Sequence, residues 1–527
     1  MSSGVESENS SSELHARYLE MERESGPEAA LAYALSLSDD PGSGGEALSV
    51  RAAALTDCGL ALGDDELVSR GAIAWEEIAA VAPSPWVIYS LANAHLAICE
   101  LAVRKSGPLE AWGTSLRPLR LARRSFLTVV DDESAPAQLR AEAATNLGNS
   151  YDSSGRGLEA IQMYDRALQF KPSFGMALGN RALALLAYAE HERVHKSHLQ
   201  QDAYWDLRGA LQSRDDVLAI GGKRALTSFE EAVNRWTSPP PPRSETAVSF
   251  RDPYEEWCRQ NDLFLHVSPH CISEGDQVWD PLFIRSVHMS VATLLDSGGL
   301  VPEFFSAFNT LKNDYAAARY LAWLATTSET QRAELLAVGA RTKYADTLDY
   351  ARYDLSSGLA RLAFKAGNDL LDKIGTLLGL LLRLGPRLYF RAWWKAKSGQ
   401  KGNRLHPNLL AVLDGGQVYN SGLWALCDLT ADLEEGGRYA LLEALRHATT
   451  HRLVVLHERL IQTTSSVSDR LVHVEEVQFE NVLTEQMGLA RKVMIYLVQA
   501  VDAHESKPES EEDGRIDVSD WQDYKTR

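Results

Sequence analysis

The sequence predicts an all-α protein: an N-terminal array of helical hairpins followed by a C-terminal helical bundle. Three observations carry that expectation. Ala and Leu dominate the apolar residues and recur at helical spacing, with few β-branched runs. A pattern of small and aromatic residues repeats through the first part of the chain. The run Thr237-Ser238-Pro239-Pro240-Pro241-Pro242-Arg243-Ser244 then ends the repeats, as a polyproline-type breaker between two folded parts.

A chain of 527 residues with 45% hydrophobic content is long enough for about two to four domains with real cores. Its net charge of −19 argues against a protein coated in nucleic acid and leaves room for a local basic groove. Cys58, Cys99, Cys258, Cys271 and Cys427 are scattered, odd in number and without paired spacing, which fits a reducing cytoplasm. Ser2 to Glu13 is polar and acidic, unlike a signal peptide, and residues 1–13 are expected to be disordered. The most apolar stretch, Leu370 to Leu384, contains Asp372, Lys373 and Arg383. It is too short and too charged to span a bilayer and reads as a core helix. A cytoplasmic protein with neither membrane nor DNA as partner is therefore expected.

Residues 14–236 make up the array. The clearest repeat runs from Ala141 to Pro172, with Leu147-Gly148, Tyr151, Gly155, Ala160, Tyr164, Ala167-Leu168 and Pro172. Gly148, Ala160 and Ala167 let two helices approach closely, Tyr151 and Tyr164 fill the groove between them, and Pro172 ends the second. Weaker copies flank it: Gly59 and Leu62 with Trp75, Ile78 and Pro83, then Leu91-Ala92 with Ala122 and Phe126. An insertion is expected around Gly107 to Arg117, and Met176, Ala182 and Leu185 begin a further copy. These positions resemble tetratricopeptide (TPR) repeats, so a TPR-like α-solenoid is expected. The resemblance implies an unknown peptide or protein bound on the concave face, and no catalysis from the array itself.

After a linker at 237–250, residues 251–504 are expected to form a helical domain that starts with an aromatic docking segment, Asp252 to His266. Cys258, His266, His270 and Cys271 lie close together but match no common zinc spacing, so no metal and no cofactor are assigned. Helices follow at Phe308 to Tyr320, at a start N-capped by Asp346, and around Asp372-Lys373-Ile374. No acidic residue lies between Asp372 and Asp414. That window holds Lys373, Arg383, Arg387, Arg391, Lys395, Lys397, Lys401 and Arg404, interleaved with Tyr389, Phe390, Trp393 and Trp394. Two readings fit it. Arg387, Arg391, Lys395, Lys397 and Lys401 with Trp393 and Trp394 could form a single-stranded RNA track, through phosphate contact and base stacking. Alternatively, a basic helix end runs into a solvated loop and the Trp pair is buried.

Leu441 to Leu456 reads as one helix, with no Gly or Pro inside. At about 100° per residue, Leu441, Leu442, Leu445, Ala448, Leu453, Val455 and Leu456 gather on one side. Glu443, Arg446, His447, Thr450, His451 and His457 gather on the other, with Arg452 and Val454 as exceptions. The helix thus presents Arg446, His447 and His451 away from its own core. Ser465 to Ser468 is a polar break, a closing helix runs through Thr484 to Leu497, and residues 505–527 read as an acidic disordered tail.

The Arg446-to-His451 spacing, R-x-x-x-x-H late in an all-α domain behind a TPR array, resembles the HEPN superfamily in its bacterial TPR-fused branch. Trp257-Cys258, Asn261-Asp262-Leu263, Lys312 to Arg319, Asp372-Lys373-Ile374 and Leu423-Trp424-Ala425-Leu426 resemble segments of the same branch, over roughly residues 250–500. The resemblance implies a helical bundle that commonly dimerises, with the motif helices of two subunits forming one metal-independent endoribonuclease site. It makes Arg446 and His451 the catalytic pair and His447 the polar position after the Arg. A His titrating near 6.5 can move protons on the 2′-OH or the leaving 5′-oxygen. An Arg fork can stabilise charge on the phosphate. RNA is the expected substrate and a homodimer the expected assembly. The Tyr found two positions after the His in HEPN partners of nucleotidyltransferases is Leu453 in this chain, which does not support regulation by nucleotide transfer onto that position. The competing expectations are a non-catalytic interaction scaffold, in which Arg446 merely pairs with Glu443, and an RNA-binding regulator.

Overall fold

A computed structural model describes residues 5–37, 44–192, 195–242, 252–266, 280–290, 303–326, 333, 337, 342–384, 389–395, 405–414, 420–434, 436–459, 470–506 and 513–517. The chain divides into two compact units. One comprises Met1–Ser153, Glu159–Ala187 and Gln200–Pro242; the other comprises Ser154–Leu158, Tyr188–Leu199 and Arg243–Arg527. The protein is all-α in architecture, an array of helical hairpins followed by a helical bundle, with two small strand pairs among the described residues.

The helices of the array are α1 (Val5–Ser25), α2 (Pro27–Ser36), α3 (Gly44–Leu62), α4 (Asp65–Val81), α5 (Pro85–Asp131), α6 (Ala137–Asp152), α7 (Gly157–Phe170), α8 (Gly175–Ala189), α9 (Lys196–Gln212) and α10 (Arg214–Val233). Helix α1 starts well before residue 14, where the sequence periodicity begins. Neighbours in sequence from α1 to α6 pack on one another, as a hairpin array requires. Local chemistry sets several ends: Asp64 accepts from the Glu66 and Leu67 amides to start α4, and Ser84 accepts from Val87 N to start α5. The insertion expected at Gly107 to Arg117 is instead a break at Gly107 followed by a second helical segment of α5. Gly107, at φ +80, bends α5, and Ala111, Trp112 and Leu116 beyond it are buried. By length and composition α5 is the one helix among the described residues that could cross a membrane. Its Ala94 sits in an apolar cluster with Ala52, Ala72 and Trp75, and its Ala97 in another with Val68 and Leu101. In the best-matching repeat, a Cβ at Gly148 would lie 2.5 Å from the Tyr164 ring, so the close approach read from the sequence is real.

The second unit contains α11 (Pro253–Gln260), β1 (Ser286–Ser290), α12 (Glu303–Thr326), α13 (Leu355–Leu381), α14 (Pro407–Asp414), α15 (Ser421–Asp432), α16 (Ala440–His451), β2 (Leu453–His457), β3 (Leu471–Glu475), α17 (Glu476–Glu505) and β4 (Asp513–Asp517). Its core is α17, buried without a break from Leu489 to Ala503 and packed by α12, α13 and α15. The segment after α11 is tied to that core by buried cations. Arg319 donates to Tyr254 Oη and to the Leu263 carbonyl, at 2.8 Å each, and ion-pairs with Asp280 at 2.6 Å. Arg491 Nε donates to the Phe264 carbonyl at 2.6 Å. Desolvation around this cluster pushes the Cys258 thiol up to about 12 and holds His266 down at about 3. His270 and Cys271 lie outside the described residues.

Three local expectations are corrected. The helix expected to open at Asp346 opens at Leu355, capped by Asp354 in a reciprocal box with Ser357. Asp346 instead accepts from Leu348 N in a turn with positive φ at Leu348 and Tyr350, a backbone that helix cannot adopt. Part of the segment expected to be a structureless tail forms β4, antiparallel to β1 with Ser286 opposite Asp517. The helix expected over Leu441 to Leu456 stops at His451.

Candidate functional site

Helix α16 is amphipathic, and Leu442, Leu445 and Ala448 are the residues that bury it. Leu441, expected on that stripe, is 47% exposed. At the C-terminal end, Thr449 and Thr450 both donate side-chain hydroxyls to the Arg446 carbonyl. Arg452 then turns extended while its N–H closes on the Ala448 carbonyl at 2.8 Å. From Leu453 the chain is strand β2, parallel to β3 with Leu453 opposite Leu471. Val454, Val455 and Leu456 suit a strand as well as a helix, and the partner strand tips the balance. His457, expected on the polar side of a helix, is buried in that strand at 3% exposure.

The motif residues remain together on the last two turns. His447 and His451 are exposed, with ring centroids 5.0 Å apart. Arg446 is half-buried and held by two carboxylates. Its Nη1 donates to Asp372 Oδ2 at 3.0 Å, Nη2 donates to Glu443 Oε1 at 3.3 Å, and Nε lies 2.9 Å from Glu443 Oε2. Side-on pairing of this kind fixes the guanidinium plane, and it leaves one N–H on each terminal nitrogen for an incoming oxygen. Asp372 comes from α13 and also accepts from Phe390 N at 3.2 Å, while its neighbour Lys373 pairs with Asp314 of α12. The Glu443 pairing was foreseen as the bland alternative for Arg446. Asp372 was legible only as a segment of the family pattern, because α13 and α16 are far apart in sequence.

The basic and aromatic window divides. Trp393 and Trp394 are fully buried, and Trp394 Nε1 donates to Thr430 Oγ1, so neither presents a ring face for a base. This corrects their assignment to an RNA track: each indole is consumed by the core of its own unit. Tyr389, by contrast, is 64% exposed. Arg391 sits 3.4 Å from Glu443, which places it beside the Arg446 cluster, and Lys395 pairs with Glu434 at 2.8 Å. Arg387, Lys397 and Lys401 lie outside the described residues.

A second polar row runs along the array. Asn146 donates to Tyr89 Oη and Asn93 Oδ1, at 3.1 Å each; Tyr164 and Asn180 donate to Asn149 Oδ1, at 2.9 and 2.8 Å. Tyr164 is buried and the others are half-buried, and they sit on α5, α6, α7 and α8 of successive hairpins. Sequence periodicity picked out Tyr164 for its packing and passed over Tyr89 and the asparagines of this row.

Residues 296–504 match the model of the LA2681-like HEPN family. No curated protein matches the chain. Among solved structures, the crystal structure of MamA aligns with 38% of this chain and 95% of its own, at 18% identity and a TM-score of 0.24, too low to bear on the argument.

Proposed function

Residues 296–504 form a HEPN domain of the LA2681-like kind, and on that premise we propose that the protein is a metal-independent endoribonuclease that works as a homodimer. The observation that carries this reading is the outward presentation, on one helix, of His447 and His451 beside a guanidinium already oriented by Asp372 and Glu443. His451 of one subunit removes the 2′-OH proton; the 2′-oxygen bonds to phosphorus and the P–O5′ bond breaks. The leaving 5′-oxygen takes a proton from a second imidazole, His447 or the equivalent His451 across the interface. The products are a 2′,3′-cyclic phosphate and a 5′-OH. Arg446 binds the non-bridging oxygens as charge builds on them. Arg391 and Tyr389, beside the cluster, replace the buried Trp pair as the RNA-facing side chains.

In this reading the array is the control element. Its ladder of Asn and Tyr side chains offers amide donors and acceptors to a bound peptide backbone, and trigger binding there licenses cutting in host defence or toxin-like growth arrest. A cytoplasmic location follows from an RNA substrate.

A second reading, a non-catalytic scaffold, is favoured by one feature. Two carboxylates neutralise Arg446, as in a purely structural ion-pair network. The two readings separate on one experiment. Expressed in cells, the wild-type protein arrests growth and yields RNA with cyclic-phosphate ends. His451→Ala lowers the cleavage rate by about 10²–10⁴-fold, the range for loss of a general acid–base group, and Arg446→Ala by about 10²–10³-fold, the range for loss of an oxyanion-stabilising donor. If purified dimer leaves all RNAs intact, with and without candidate triggers, and both variants behave like wild type in cells, the scaffold reading stands.

A further inference from the structure

The turn before α13 and the two strands after α16 bring Asp349, His457 and His473 together, with one ligand-capable atom from each lying within 4.8 Å of the others. Pairing produces the convergence. Val455 lies opposite His473 in the parallel β2–β3 ladder, so His457, two residues on, points to the same face as His473. On the other side of β2, Ala351 bridges His457 antiparallel, with Arg352 N donating to the Leu456 carbonyl and Glu458 N to the Tyr350 carbonyl. That bridge delivers Asp349.

The tautomer of His457 is set as a metal requires. His457 Nδ1 lies 2.9 Å from the Asp349 backbone carbonyl, which can only accept, so Nδ1 carries the proton. The Nε2 lone pair is therefore aimed at His473 Nδ1, 2.7 Å away. An imidazole anchored by one nitrogen to a backbone carbonyl, with the other turned inward, is the usual support of a metal-ligating histidine. Thr347 Oγ1 and Ala351 N donate to Asp349 Oδ1 and hold its side chain. His457 is buried, while His473 and Asp349 are half-buried, so an ion could enter from solvent.

We propose that Asp349, His457 and His473 form a binding site for a divalent transition-metal ion of the zinc type, which clamps together the three chain segments that follow and flank the motif helix. Two imidazoles and a carboxylate suit that class of ion and leave a fourth position for water. Nitrogens about 2.0–2.1 Å from a tetrahedral ion stand about 3.3 Å apart, so ligation opens the His457–His473 contact by roughly half an ångström. Ligation through His473 Nδ1 moves the proton that bridges these nitrogens to His473 Nε2, by exchange with solvent, so both imidazoles stay neutral. This site is separate from the Arg446–His451 cluster: the strand between His451 and His457 spans roughly 15–20 Å. The clamp accordingly acts on the exit of α16 and supplies no step of cleavage, so it stands or falls independently of the nuclease reading.

The test is titration of the full-length, chelator-treated protein with Co²⁺ and then Zn²⁺. Expected are visible d–d bands of tetrahedral intensity that saturate at one ion per chain and are abolished by Zn²⁺, together with a higher Tm when Zn²⁺ is added. His473→Gln keeps an amide that can still donate to His457 but removes the ligand. It should lose at least about 100-fold in Co²⁺ affinity, beyond what loss of an outer partner costs. Asp349→Ala, at a half-buried turn position, should weaken binding too and covers the case in which His473→Gln fails to fold. Absence of the bands in the wild-type protein, or an unchanged spectrum in a folded His473→Gln or Asp349→Ala protein, overturns the proposal.

Discussion

At the scale of single residues, the informative fact is that Arg446 does not stand alone. Its guanidinium is shared between Glu443, one helical turn earlier, and Asp372 on a different helix. Pairing with two anions lowers its electrostatic pull on a phosphate, yet it also fixes the plane in which the two remaining N–H groups point. In the nuclease reading orientation dominates, because a long flexible side chain otherwise loses rotamer freedom on binding the transition state. Asp372→Ala should then reduce kcat about tenfold while KM changes less than twofold, measured on a defined RNA under single- and multiple-turnover conditions. An unchanged kcat would make Asp372 a mere salt-bridge partner of a surface arginine. The same scale explains why Trp393 and Trp394 misled: an aromatic beside Lys and Arg looks identical in sequence whether it faces RNA or a core. Here the Thr430 hydroxyl and the surrounding apolar residues claim the indole of Trp394.

At the scale of elements, the repeat from Ala141 to Pro172 was readable because its constraints are local. Gly148 is required where α6 meets α7, since a methyl there would press on the buried Tyr164 ring at 2.5 Å. Gly148→Ala should destabilise the array by about 1–3 kcal/mol through overpacking. Gly45→Ala, where an added Cβ meets nothing within 4 Å, should be neutral or stabilising by up to about 1 kcal/mol. Urea unfolding of both variants checks this, and equal midpoints would show that the close approach is not a constraint. The motif helix was harder. Its apolar stripe and its Arg and His were visible, but its end was not. Periodicity carries Leu453 to Leu456 onward as helix, and only pairing with Leu471 to Val474, from the far side of a long connection, makes them strand.

At the scale of the whole molecule, the prediction concerns assembly. Arg446, His447 and His451 lie on the side of α16 away from its buried stripe. If they act, a second copy is the simplest source of the opposing proton donor. A charge introduced on the exposed face of α16 that leaves Arg446, His447 and His451 in place, such as Ala444→Glu, should yield a monomer without nuclease activity. Sedimentation and RNA cleavage measured on one preparation test this. A fully active monomer would remove the composite site from the mechanism.

The amino-acid sequence by itself determined the helical class, the hairpin register around Gly148 and Tyr164, and the identity and spacing of Arg446, His447 and His451. All of these follow from interactions within a few turns of chain, or from residue chemistry that no fold can change. The tertiary structure decided where the motif helix stops, which carboxylates hold Arg446, that the tryptophans are buried, and that Asp349, His457 and His473 converge. Each of those depends on which distant segment arrives as partner. Backbone pairing and burial reward such contacts only once the chain has closed long loops, and local periodicity carries no record of that choice.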